Sequence, residues 1–419
     1  MSKYLLPVTH PLRLRAFRLL FVGRTVSAVG DAVVPAALAL AVLRATGSTA
    51  ALALVLGAAM LPRLLLLPLG GVAADRFDAR RVALLADLTR CAAQLLVGVE
   101  LLGGDPALTT IAVASAVGGT AAAFALPTAS PLVAGTVDPA QRQRANALLG
   151  TTANASRLAG PALAGALIWA AGPGWAFVLD AASFAVSAAL LAVIRVRQVP
   201  RPERRSVTTD LLHGWREVRS RTWFWSSLLG HGTWNGAAAV LTTLGPAVAV
   251  HRLGGEGVWL LMLQAGAVGM LAGSLIAGRI RPRRPVLTAN LGLATYAAPL
   301  VLLAVAAPAP AIVVAYGVAL TALGYLNPVW ETVVQSQFPP HVLARVTSYD
   351  WLVSLGAMPL GYALAPLAAR VWGEPAPLAV AGALVLVACA GTALVPDVRR
   401  LAWPAPAAPE PAREAAATS

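Results

Sequence analysis

The chain has 419 residues, of which 58% are hydrophobic and only 12% are charged, and its formal net charge is +14. A soluble protein of this size carries about twice that share of charged residues. The composition therefore excludes an ordinary soluble enzyme. The basic residues lie between long apolar runs, which indicates membrane topology rather than nucleic-acid binding.

Twelve apolar runs follow one another along the chain. About 20 apolar residues cross a bilayer as a helix, whereas membrane β-strands are shorter and alternate polar with apolar residues. The sequence therefore predicts an all-α membrane protein. The predicted spans, numbered 1 to 12 in chain order, cover residues 17–43, 50–73, 82–103, 107–130, 143–171, 175–194, 223–250, 257–278, 286–306, 310–336, 346–369 and 376–396.

The longest polar break separates span 6 from span 7 and divides the spans into two sets of six. We predict an N-terminal bundle over residues 1–194, a cytoplasmic linker over 195–222, a C-terminal bundle over 223–398 and a disordered tail over 399–419. The second half of the linker has apolar residues at helical spacing, which favours a short interfacial helix over a solvated linker. These residues are Leu211, Leu212, Trp215 and Val218.

The basic residues mark one side of the predicted membrane protein. The N terminus, the tail and the loops that follow even-numbered spans hold nearly all of the lysines and arginines. The opposite loops hold only Arg44, Arg252 and Arg370. Because basic loops stay in the cytoplasm, both termini are predicted to be cytoplasmic, with the chain spanning the cell membrane several times.

The two halves of the chain are similar to each other. At an offset of 203 residues, residues 70–88 match residues 273–291, and Arg80 coincides with Arg283. At an offset of 201, prolines and glycines of spans 4 and 5 match those of spans 10 and 11. Two parallel six-helix repeats are one architecture of secondary transporters, in which the substrate is held between the halves.

Three segments resemble the major facilitator superfamily. Its loop 2–3 signature is matched by Gly71, Asp75, Arg76, Arg80 and Arg81, although Asp78 stands where that signature usually has glycine. The fifth-helix motif of its drug/proton antiporters is similar to the stretch that contains Gly160, Pro161 and Gly165. Residues 24–31 resemble the first helix of the branch that holds macrolide and siderophore exporters. The resemblance implies twelve transmembrane helices in two pseudo-symmetric six-helix bundles.

The resemblance also implies roles for these motifs. Asp75 would meet the N-terminal end of span 11 near Arg345. The gating loop would use Asp75 with the basic residues Arg76, Arg80 and Arg81, which bridge carboxylates or lipid phosphates. Topological charge without gating is the alternative. Close helix approach and bending in span 5 would depend on Gly160, Pro161 and Gly165, for which ordinary packing is the alternative.

Ionisable residues inside the spans are costly and usually face a cavity. Asp31, near the middle of span 1, is the first candidate for a carboxyl group that exchanges protons, followed by Glu331 and Asp180. Arg24 lies seven residues before Asp31 and could instead neutralise it. The candidate charge partners are Arg24, Arg157, Asp87 and Arg90. The last two are three residues apart on span 3 and could pair with each other.

Aromatic and amide side chains would give a mostly apolar cavity its stacking and hydrogen-bonding groups. The candidates are Trp234, Asn235, Gln264, Tyr325, Asn327 and Trp330. For each tryptophan, a position at the membrane interface is the alternative. The sequence has no phosphate-binding Gly-x-x-x-x-Gly-Lys loop and no histidine pair at metal-ligand spacing. We therefore expect that the protein is not an enzyme and that it binds no metal and no cofactor.

Together these features predict a monomeric secondary transporter that works by alternating access. It would export a hydrophobic or amphiphilic small molecule, such as a drug or secondary metabolite, and the proton gradient would drive it. Its partners would be the lipid bilayer, the small-molecule substrate and protons, with no nucleic acid. An uptake symporter or facilitator is the alternative within this class. A membrane enzyme or scaffold without transport is the alternative outside it.

Overall fold

The computed structural model describes residues 10–402 without residues 105, 139, 140, 198–214, 278, 281 and 339. The described residues are almost entirely helical and contain no strand, which confirms the predicted all-α fold. In the linker, Trp215 and Val218 belong to a short helical turn, and Val218 is buried. The predicted Leu211 and Leu212 lie outside the described residues, as does the tail after residue 402.

Twelve helical segments match the twelve predicted spans. Spans 1 to 6 are Arg15–Thr46, Thr49–Arg76, Ala79–Leu102, Leu108–Ala125 continued by Ala129–Thr136, Arg142–Ala171 and Gly174–Val193. Spans 7 to 12 are Thr222–Arg252, Glu256–Ala277, Pro285–Ala294 with Ala297–Ala304, Ala309–Gln337, Pro340–Gly356 with Met358–Trp372, and Pro375–Gly391. Ten segments are long and apolar enough to cross a membrane, and spans 5 and 7 are as long but more polar.

Caps at the helix ends explain where the first spans begin and end. Gly47 ends span 1 with a φ of 61°, a backbone conformation that glycine adopts without strain. Ser48 then starts span 2, because its side chain accepts the N–H of Ala51. Asp78 starts span 3 in the same way and accepts the N–H of Arg80 at 2.9 Å. The residue that departs from the loop signature therefore serves as a helix cap.

The helices of the two halves pair in the same way. In the N-terminal half, span 1 packs against spans 5 and 6, span 2 against span 4, and span 3 against spans 4 and 6. In the C-terminal half, span 7 packs against spans 11 and 12, span 8 against span 10, and span 9 against spans 10 and 12. Adding six to each span number of the first set gives the second. The sequence repeat is therefore also a structural repeat.

Glycines allow the closest helix crossings in both halves. Where spans 2 and 4 cross, a Cβ atom at Gly119 would overlap the carbonyl oxygen of Ala59. Where spans 8 and 10 cross, a Cβ atom at Gly273 would overlap the carbonyl oxygen of Thr321. Backbone meets backbone at both points, which is typical of membrane helices that associate through small residues.

The two halves meet through spans 2 and 11 and through spans 5 and 8. We call the side that carries the N terminus and loop 2–3 the basic end, and the other side the sealed end. Ala53 and Met60, in the part of span 2 nearer the sealed end, pack with Met358 and Tyr362 of span 11. Nearer the basic end, span 2 has exposed apolar residues, among them Leu65. The halves therefore close against each other at the sealed end.

Candidate transport site

An ion pair joins the two halves at the sealed end. Arg44, in the last turn of span 1, donates from Nε and Nη2 to the two carboxylate oxygens of Glu256 at the start of span 8. Deeper in the membrane, Gln264 Nε2 of span 8 donates to the carbonyl oxygen of Leu158 in span 5 at 3.0 Å. Within the described part of the chain, these are the side-chain hydrogen bonds between the halves.

Reversing the charge of Arg44 is expected to loosen the sealed end. Arg44→Glu removes the ion pair and places two carboxylates next to each other. Together these changes should destabilise the closed state of the sealed end by about 1 kcal/mol, which raises the population of molecules open at this end roughly fivefold. The rate at which a membrane-impermeant maleimide labels Leu260→Cys should rise by the same factor. The measurement uses a background in which Cys91 and Cys389 have been replaced. The exchange Arg44→Glu with Glu256→Arg should restore slow labelling.

The matched control for this prediction is Arg252→Glu, which reverses an exposed arginine near the same end of span 7. Arg252 has no ion pair with any described side chain. Equal labelling in Arg44→Glu and Arg252→Glu would show that net charge, and not the Arg44–Glu256 pair, governs access.

Asp31 and Arg90 form an ion pair across spans 1 and 3. The Asp31 side chain is 44% exposed and that of Arg90 is 18% exposed, so the protein covers the pair only in part. The Arg90 guanidinium also lies over the ring of Phe184, 3.9 Å from its centroid. Of the alternatives open from the sequence, Asp31 is thus neutralised by Arg90 and not by Arg24.

Asp180 is fully buried on span 6 and is held by neutral side chains. Gln94 Nε2 donates to its Oδ2 atom at 2.6 Å, and Ser183 Oγ lies 3.2 Å from its Oδ1 atom. A Cβ atom at Gly30 would overlap both Asp180 Oδ1 and Ser183 Oγ, so span 1 packs directly on this carboxyl group. Sequence reasoning missed Gln94 and Ser183, because the partner of a single polar residue in an apolar helix cannot be predicted from the sequence.

Asp87 and Arg24 form a second buried charge group. Asp87 is fully buried, accepts a hydrogen bond from Ser187 Oγ at 2.7 Å, and has Arg24 as its strongest cationic neighbour. Asp87 Oδ1 and Arg24 Nη2 have no hydrogen-bond partner among the described residues. The predicted pairing of Asp87 with Arg90 is wrong, because Arg90 turns toward span 1 while Asp87 faces spans 1 and 6 at another level.

The C-terminal half has a neutral group at the matching place. Asn290 lies 203 residues after Asp87, and Ser227 lies 203 residues after Arg24. Asn290 Nδ2 donates to Ser227 Oγ at 3.0 Å, and Asn290 Oδ1 lies 3.3 Å from His231 Nε2. The same junction of helices is therefore charged in one half and neutral in the other.

The two predicted cavity tryptophans are buried inside the C-terminal half. Trp330 is 7% exposed, stacks on Phe224 with the ring planes 10° apart, and donates from Nε1 to Asp350 Oδ2 at 2.6 Å. Trp234 is equally buried and packs against Tyr296, 4.6 Å between ring centroids. The hydrogen bond from the Trp330 indole N–H to Asp350 was not predicted, because the two residues are 20 positions apart on different spans.

The remaining predicted site residues divide into buried and exposed ones. Tyr325 is buried, with no hydrogen-bond partner for its hydroxyl group among described residues. Asn235 is half-buried, and its amide donates to the carbonyl oxygen of His231 at 2.9 Å. The exposed residues are Arg157, Asn327 and Glu331. Neither Arg157 nor Glu331 has an ion pair with a described side chain. Arg63 of span 2 is also exposed and lies near Asp31 and Arg90.

The loop and glycine motifs take part in local packing. Arg80 Nη1 donates to the carbonyl oxygens of Ala192 and Ile194 at 3.2 and 3.1 Å, which ties loop 2–3 to the end of span 6. The nearest carboxylate to Arg81 is that of Asp78, at 4.0 Å. The side chains of Asp75, Arg76 and Arg345 lie outside the described part, so the predicted contact with span 11 stays a prediction.

The span 5 motif lies at two helix crossings. A Cβ atom at Gly160 would overlap the carbonyl oxygen of Ala32, so Gly160 allows span 5 to approach span 1 closely. Gly165 faces the side chain of Leu260 in the other half. Pro161 lies inside the helix between these two contacts. The structure thus places this motif between span 1 and the interface of the halves.

Comparison with known proteins decides the family. The profile of the Major Facilitator Superfamily matches residues 20–354. The chain belongs to this superfamily. It is 29% identical over 372 residues to the multidrug efflux pump Tap of Mycobacterium tuberculosis, covering 84% of this chain and 86% of that protein. It is 26% identical over 378 residues to Tap of Mycolicibacterium fortuitum, with 84% and 88% covered.

Solved transporter structures share the fold. An auto-inhibited peptide transporter of the POT family has a TM-score of 0.74 at 13% identity, with 94% of this chain and 99% of that chain covered. A bacterial homologue of the human lysosomal transporter Spinster, in an inward-facing and unoccupied conformation, has a TM-score of 0.67 at 17% identity, with 95% and 100% covered. The predicted family and the twelve-helix transporter fold are both confirmed.

Proposed function

We propose that this chain is a proton-coupled exporter of hydrophobic or amphiphilic small molecules of the drug or secondary-metabolite type. The observation that carries the proposal is its similarity, over 84% of its length, to proteins named multidrug efflux pumps. The mostly apolar interior, with charged groups confined to a few places, suits such substrates.

The distribution of basic residues supports a cytoplasmic position for the basic end and for both termini. The sealed end, with the Arg44–Glu256 pair, then faces the outside of the cell membrane. In this conformation a substrate enters from the cytoplasm, the side on which an exporter loads. A single chain contains both halves of the transport path, so we propose that the monomer is the working unit.

Protons are proposed as the driving ion, with no other cofactor. Among the described spans, Asp87 and Asp180 are fully buried and the Asp31 side chain is 44% exposed. Carboxyl groups at membrane depth are costly, and they usually mark ion or substrate pathways. Taking up a proton from one side and releasing it to the other would reset the transporter after each substrate molecule.

Accumulation of ethidium in everted membrane vesicles tests the proposal. Vesicles that contain the protein should concentrate ethidium when their lumen is acidified, and collapse of the proton gradient with nigericin should abolish this. Asp31→Asn should also abolish it at unchanged expression, because the charge balance around Arg90 is lost. Glu100→Gln is the matched control, since Glu100 lies near the sealed end and bonds only the backbone N–H of Ala107.

The direction of transport separates the two candidates within the class. An exporter fills everted vesicles and empties cells, whereas an uptake symporter fills right-side-out vesicles. Ethidium accumulation only in right-side-out vesicles, or accumulation that nigericin leaves unchanged, would refute proton-coupled export.

A further inference from the structure

Asp31, Arg90 and Asp180 form one compact group across spans 1, 3 and 6. Arg90 pairs with Asp31 while its guanidinium lies over the ring of Phe184. Phe184 is one helical turn after Asp180, so the guanidinium lies against the stretch of span 6 that carries this second carboxyl group. Asp31 and Arg90 are also the charged side chains that influence Asp180 electrostatically. One arginine thus lies within reach of two carboxyl groups.

The surroundings of Asp180 fit a protonated carboxyl group. Gln94 Nε2 donates to Oδ2 at 2.6 Å. Ser183 Oγ donates to the backbone carbonyl oxygen of Asp180 at 2.7 Å and, over a longer distance of 3.2 Å, to Oδ1. Both partners are neutral, Asp180 is fully buried, and no described cation forms an ion pair with it. A carboxyl group that is buried without a counter-charge is least costly as the neutral acid.

We propose that Asp180 holds the exchangeable proton in this conformation and that Arg90 alternates between Asp31 and Asp180. The inference rests on the proposed proton-coupled export and names the site of its proton. While Arg90 pairs with Asp31, Asp180 is a neutral acid. When Arg90 moves to Asp180, the O–H bond of Asp180 breaks, the electron pair stays on the carboxylate, and the proton passes to water in the cavity.

The surrounding charges balance once Asp180 has lost its proton. The other charged or titratable groups that face this site from spans 1, 2 and 3 are Arg24, Arg63, Asp87 and Cys91. Arg63 is exposed, lies near Asp31, and has no ion pair with a described side chain, so it replaces Arg90 when Arg90 leaves Asp31. Three arginines and three aspartates are neutral together once Asp180 is ionised, and the group carries one positive charge while the proton is bound.

Infrared difference spectra of the purified full-length protein test the site with protons as the only ligand. The wild type should show a carboxylic acid band that disappears as the pH is raised, and Asp180→Asn should remove it. Asp31→Asn frees Arg90 for Asp180, so the band should disappear at lower pH. Glu100→Gln, which removes a carboxyl group that bonds the backbone N–H of Ala107 near the sealed end, is the matched control and should leave the band unchanged. A band that survives in Asp180→Asn overturns the proposal.

Two milder variants decide the question if Asp180→Asn does not fold. Gln94→Leu removes a donor that favours the ionised form, so the band should persist to higher pH. Ser183→Ala removes the weaker donor to Oδ1, so the band should also persist to higher pH, by a smaller amount. A shift to lower pH in either variant, or no shift in both, contradicts a protonated Asp180.

Transport in proteoliposomes distinguishes failure of this inference from failure of the proposed function. Asp180→Asn should lose ethidium accumulation driven by a pH gradient but keep ethidium counterflow, because exchange of substrate for substrate needs no proton. If the wild type shows no proton-driven accumulation, the proposed function fails, while the infrared spectra still decide where the proton is held. If Asp180→Asn accumulates ethidium like the wild type, the site is wrong.

Discussion

Replacing Gly119 with alanine is expected to lower the free energy of unfolding by about 1–3 kcal/mol, the usual cost of overpacking a close-packed interior. The added Cβ atom would overlap the carbonyl oxygen and carbonyl carbon of Ala59 in span 2. Both are backbone atoms, so no side chain can rotate away, and spans 2 and 4 must separate. Reversible unfolding in mixed micelles with increasing SDS measures the difference.

The neighbouring residue provides the control. A Cβ atom at Gly118 would meet only the Cβ atom of Ala93, at 3.9 Å, which is an ordinary contact. Gly118→Ala should therefore stay within about 1 kcal/mol of the wild type, with any change toward higher stability because alanine favours the helix. Equal destabilisation by the two substitutions would show that the loss of glycine in span 4, and not the crossing with span 2, determines the cost.

The fold was predictable because hydrophobic length and basic loops are properties of the chain itself. All twelve spans could be located, since a run of about 20 apolar residues has few other uses in water or in lipid. Breaks within the spans were not predicted. Span 4 continues through a short 3-10 turn into Ala129–Thr136, and span 9 is interrupted at Thr295 and Tyr296. Such breaks depend on how neighbouring helices pack.

The site was predictable only in part, because partners depend on helix rotation and on contacts between distant spans. Asp31, Asp180 and Arg90 could be selected, since charged residues inside spans are rare. The pairing of these residues could not be predicted. Asp31 and Arg90 are 59 residues apart in the chain, and only the packing of span 3 near span 1 brings them together. The local rule of pairing at a spacing of three residues favoured Asp87 with Arg90, and tertiary contacts override it.

The C-terminal half suggests how the buried Asp87–Arg24 group could be replaced without loss of stability. Its matching junction uses Asn290 and Ser227, joined by a neutral hydrogen bond of 3.0 Å. Natural packing of the same helix arrangement thus tolerates an uncharged version. We therefore expect that folding does not require the two charges in the N-terminal half. Removing only one of them should destabilise the protein, because the other is then left without its counter-charge.

Asp87→Asn alone is expected to destabilise the protein by about 1–3 kcal/mol, because the half-buried Arg24 guanidinium, which has no ion pair with a described side chain, loses its main counter-charge. The double variant Arg24→Ser with Asp87→Asn copies the pair of the other half and should recover most of that loss. A double-mutant cycle, completed with Arg24→Ser and measured by the same unfolding in mixed micelles, gives the coupling between the two sites. Additive losses in the double variant would mean that Arg24 and Asp87 do not compensate each other. Recovery would assign the charges to transport, because the transporter could then fold without them.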